Sequence, residues 1–75
     1  MAFLNREDAI ALVEAIFESP DPTYASIVRE LRNEDPGLDL KTAAVFGKVV
    51  IRDLAQRGNK GASEMMATLE EFSRG

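Results

Sequence analysis

Apolar side chains recur at spacings of three and four along almost the whole chain, and the recurrence breaks at only three places: Ser19-Pro20-Asp21-Pro22, Glu34-Asp35-Pro36-Gly37 and Gly58-Asn59-Lys60-Gly61. Spacing of this kind puts apolar groups on one stripe of an α-helix, and proline and glycine end helices for want of a backbone donor or of a helical preference. No segment alternates with the period of two that a strand requires, and no repeat or low-complexity tract stands out. The pattern predicts an all-α, compact four-helix domain, with helices at about residues 5–18, 22–33, 40–57 and 61–73 and the third helix central. Residues 1–75 then form a single helical domain.

The ends of these helices carry chemical signals. Asn5 is a capping residue type, with Leu4 placed to staple against Ala9, and the first helix buries Ala9, Ile10, Leu12, Val13, Ile16 and Phe17. Asp21-Pro22 reads as cap and first helical residue of the second helix, whose stripe is Tyr24, Ile27, Val28 and Leu31. Leu38 and Asp39 repeat the staple-and-cap arrangement ahead of the third helix, which Gly58 closes. At about 100° per residue, its apolar positions from Leu40 through Ala43, Ala44, Phe46, Gly47, Val50, Ile51 and Leu54 to Ala55 span half the circumference, as a central helix requires. Gly47 costs about 1 kcal/mol against alanine in mid-helix, a cost that a close approach of another helix at Ala43 and Gly47 would offset. In the fourth helix Ala62, Met65, Met66, Leu69 and Phe72 form a narrower stripe, a spacing that assigns the methionines to the core rather than to an adaptable binding surface.

Composition excludes most catalytic chemistry. With no histidine and no cysteine, the commonest general base, the commonest metal ligand and the thiol nucleophile are missing together. Gly58 and Gly61 do not make a phosphate-cradling loop, because Lys60-Gly61 lacks both the upstream spacing and the following hydroxyl of a P-loop. The acidic pairs Glu7-Asp8, Glu34-Asp35 and Glu70-Glu71 are adjacent in sequence, so on a helix their side chains diverge by about 100° and read as solvated charge rather than as a cation site. Neither an enzyme, a cofactor nor a metal is expected. The opening Met1-Ala2-Phe3-Leu4 runs into Asn5-Arg6-Glu7-Asp8 without the basic start and apolar run of a leader, and no stretch is long enough to span a membrane. The cysteine-free composition adds to the expectation of a cytoplasmic protein.

Charge is distributed unevenly. The first helix and its flanking turn carry Glu7, Asp8, Glu14, Glu18 and Asp21 against a single Arg6, while Lys41 to Lys60 holds five basic residues against Asp53. On the third helix Lys41, Lys48 and Arg52 fall within about 40° of one another, opposite the core stripe. Val45 and Val49 lie at the edge of that basic stripe and Gln56 extends it, so Lys41, Val45, Lys48, Val49, Arg52 and Gln56 form a candidate interface. Glu7, Glu14 and Glu18 repeat the seven-and-four spacing with opposite sign and form a candidate acidic counter-face.

A small domain buries only about 60% of its unfolded surface and has reason to recruit a partner. The sequence therefore points to a protein-interaction or regulatory module, binding itself, as a homodimer, or another protein through the outer face of the third helix. The alternative is a helix-turn-helix-like DNA-binding regulator presenting Lys41, Lys48, Arg52 and Gln56. Against that alternative stand the net charge of −4, a connection longer than the usual three- or four-residue turn, and acids at the end that would enter the groove.

Overall fold

The computed structural model describes residues 5–74, with side chains as far as residue 72. Four helices follow in order: α1 (Arg6–Phe17), α2 (Tyr24–Glu34), α3 (Leu40–Gln56) and α4 (Lys60–Arg74). There is no strand among the described residues. The staple proposed between Leu4 and Ala9 lies outside them.

Each helix starts on a side chain that accepts the amide three residues on, which satisfies one of the orphan donors of a first turn. Asn5 takes the Asp8 amide at 2.8 Å, Thr23 that of Ser26 at 3.0 Å, Asp39 that of Thr42 at 2.7 Å, and Asn59 that of Ala62 at 3.0 Å. Two of these starts differ from the sequence expectation. The cap of α2 is Thr23 rather than Asp21, since Thr23 has an amide partner and Asp21 has none among the described residues; Pro22 thus precedes the cap instead of opening the helix. Asn59 begins α4 rather than belonging to a break that runs through Gly61.

The stop of α3 is a Schellman motif. The Gly58 amide donates to Ala55 O and the Asn59 amide to Leu54 O, at 3.1 and 3.0 Å, and Gly58 has φ of +97°, a conformation that other residues adopt at a cost. Asn59 therefore closes α3 through its main chain and opens α4 through its side chain. Between α2 and α3, Asp35 accepts the Gly37 amide through its side chain and the Leu38 amide through its carbonyl, and Leu38 packs against the core.

The third helix is the centre of the fold, packing against all three others, while α1 also meets α2. Its fully buried Ala43, Val50 and Ile51, with Leu54, join Ala9 and Val13 from α1, Ile27 and Leu31 from α2, and Ala62 and Met66 from α4. Among the described residues no polar side chain is buried. Gly47 faces α2, but a Cβ there would sit 3.6 Å from Ile27, Leu31 and Tyr24, which is ordinary contact and leaves room for a methyl group. The tighter glycine is Gly61, where a Cβ would meet the Phe17 side chain at Cδ1, 3.0 Å away.

Two residues assigned to the core by periodicity lie outside it. Leu40 is 62% exposed: it is the first residue of α3, where the tilt of helical side chains toward the N-terminus carries it past the packed turns. Phe72 is 79% exposed, because it follows Leu69 by almost one turn and projects beyond the part of α4 that its neighbours cover.

A candidate protein-interaction face

Tyr24 opens α2 and lies half-buried, donating its hydroxyl hydrogen bond to the Ala44 carbonyl in α3. That bond ties the start of α2 to the second turn of α3. Burial also pushes the phenol above the usual tyrosine range.

Three grooves meet at this tyrosine. One, of 570 Å³, runs between α2 and the start of α3 past Val28, Arg29, Arg32 and Leu40. A second, of 370 Å³, is bounded by Lys41, Val45 and Lys48 of α3 and by Leu69 and Phe72 of α4. The third, of 510 Å³, lies between the end of α1 and α4, with Phe17, Met65 and Phe72 in its walls. The first two also share Ala44, so they adjoin on either side of the Tyr24–Ala44 hydrogen bond as a two-part trough across the N-terminal half of α3. Among the described residues its charged lining is basic, namely Arg29, Arg32, Lys41 and Lys48, whereas that of the groove beside α1 is Glu64.

The candidate interface residues divide along α3. Lys41, Val45 and Lys48 line the trough, with Val45 57% exposed. Val49, at 37% exposure, continues the same helical face with exposed Arg52 and Gln56 but borders none of the three grooves. On α1, Glu7, Glu14 and Glu18 are exposed, and among the described residues no ion pair joins them to the basic stripe. The ion pairs that form among the described residues both use Asp53, the acid within the basic segment, which meets Arg6 at 3.4 Å and Arg57 at 3.5 Å. Both arginines are largely solvated, so each pair is worth on the order of 0–1 kcal/mol.

Sequence reasoning missed Tyr24, Leu40 and Phe72 as parts of this face and gave Arg29 and Arg32 no role. The available signals were positional, since Leu40 is the first residue after a cap and Phe72 lies in a final turn, and such residues outrun the helices meant to cover them. Asp39, the cap beside Leu40, has its carboxyl held below the usual range by its hydrogen bonds with Thr42, so it carries a negative charge at the α3 N-terminus at neutral pH. The chain matches no protein-family model, no curated protein and no solved structure.

Proposed function

We propose that this chain is a small protein-interaction module whose docking face is the outer side of α3, extended by Leu40 at one edge and Phe72 of α4 at another. The supporting observation is clustering: Leu40, Val45 and Phe72, each more than half exposed, border grooves that converge on Tyr24. Scattered apolar residues are ordinary on a soluble surface, but adjoining ones around concave grooves are characteristic of binding sites. The module is proposed to act in the cytoplasm; no helix among the described residues is long and apolar enough to cross a membrane.

DNA binding has less behind it. A recognition helix would lead with the ionised Asp39, with Asp35 close by in a five-residue connection, and both would oppose phosphate.

A photo-crosslinking residue placed in turn at Val45, Phe72 and the exposed Ala11 of α1 tests the docking face in cells. Adducts, with a second copy or with another protein, are expected from Val45 and Phe72 and not from Ala11. Equal labelling from all three positions, or none from any, would remove the reading. Light scattering after size exclusion, at low and high salt, then separates self-association from an outside partner.

A further inference from the structure

The charges around the trough narrow the choice of occupant, an inference that rests on the docking face just proposed. The chain as a whole carries −4, yet among the described residues the two adjoining grooves are lined by four cations and no acid, with Asp39 near enough to Arg32 to feel its charge. A symmetric pair of chains meeting through this face would set those cations against their own copies, since an isologous contact uses one patch twice. A head-to-tail contact would have to seat the acidic side of α1 or of α4, but beside Glu7, Glu14 and Glu18 the exposed residues include Ala11 and Ala15, and beside Glu64, Glu70 and Glu71 they include Ser63 and Ala67, too small to fill grooves of 570 and 370 Å³.

We propose that the trough receives an acidic amphipathic helix from another protein. Its apolar side chains, spaced i, i+3, i+4 and i+7, enter along Leu40, Ala44, Val45 and Phe72, while its flanking carboxylates meet Arg29 and Arg32 in one groove and Lys41 and Lys48 in the other. Charge complementarity of this kind sets partner choice and speeds encounter more than it adds affinity. The concave walls favour inserted side chains over a flat lipid surface.

The test is selection by the full-length chain from a displayed library of helical peptides, apolar at i, i+3, i+4 and i+7 and randomised elsewhere. Captured sequences should favour Asp and Glu over Lys and Arg by about tenfold at the flanking positions, and raising the salt should weaken their binding. Arg29→Glu combined with Lys48→Glu, with helicity checked by circular dichroism, should reverse that preference. Capture without charge bias, but lost in Val45→Asp, would keep the docking face and overturn the acidic partner. Failure to capture any peptide would overturn the helical occupant, and with no adduct from Val45 it would remove the face as well. Binding to vesicles containing phosphatidylglycerol or to duplex DNA in place of peptides would equally overturn it.

Discussion

Gly47 and Gly58 occupy the same helix or its cap and should respond to one methyl group in opposite ways. At Gly47 the backbone is helical and the added carbon would make ordinary contacts with Ile27, Leu31 and Tyr24, so Gly47→Ala gains helix preference without a clash. A gain of about 0.5–1 kcal/mol is expected. At Gly58 no atom lies within 4 Å of the added carbon, yet its φ of +97° makes a side chain costly, so Gly58→Ala should lose about 1–2 kcal/mol. Urea denaturation of the two variants checks this, with midpoints moving in opposite directions at an unchanged slope. A loss at Gly47 would mean that α2 and α3 pack more tightly than these distances give. The space around each glycine was not legible in the sequence: mid-helix position suggested crowding at Gly47, whereas crowding depends on which partner side chain arrives, and it is Phe17 that arrives at Gly61.

At the level of whole helices, the capping pattern explains which boundaries could be read in advance. Asn5 and Asp39 were unambiguous because a single capping type stands before an apolar run. Asp21-Pro22-Thr23 offers two capping types, and only the amide geometry selects Thr23. Asn59 was hidden for another reason: it serves two helices at once, so no separate loop remains to mark the junction. Replacing Asn59 by alanine should cost about 1 kcal/mol through the lost bond to the Ala62 amide, while Asn59→Asp, which keeps an acceptor, should cost less. Thermal melts of the two variants give the comparison. An alanine variant as stable as its parent would show that the α3–α4 junction is held by the Gly58 motif alone.

Over the molecule as a whole, the radius of gyration is 11.7 Å, close to the value of about 11 Å for a compact chain of this length, so the exposed Leu40, Val45 and Phe72 belong to a closed bundle rather than a loose one. Core and face should therefore be separable by substitution. Leu54→Ala removes a buried anchor of α3 and should cost about 2–5 kcal/mol, a large part of the stability of a small domain. Phe72→Ala, despite the larger side chain removed, should stay within about 0.5 kcal/mol and reduce only binding. Calorimetry on both separates them, and a large loss at Phe72 would place it in the core after all. The four-helix order and the central third helix were legible because periodicity reports which face is apolar. The trough was not, because it arises where helices of unequal reach end, and a one-dimensional pattern carries no information on which turn is left uncovered. Tyr24 sits at that junction, and the chain has no other tyrosine and no tryptophan. Its phenol absorbance thus comes from a single ring in the walls of all three grooves described above. A guest that further shields the phenol would delay tyrosinate formation to still higher pH, so the protein carries an optical gauge of its own occupancy and needs no attached dye.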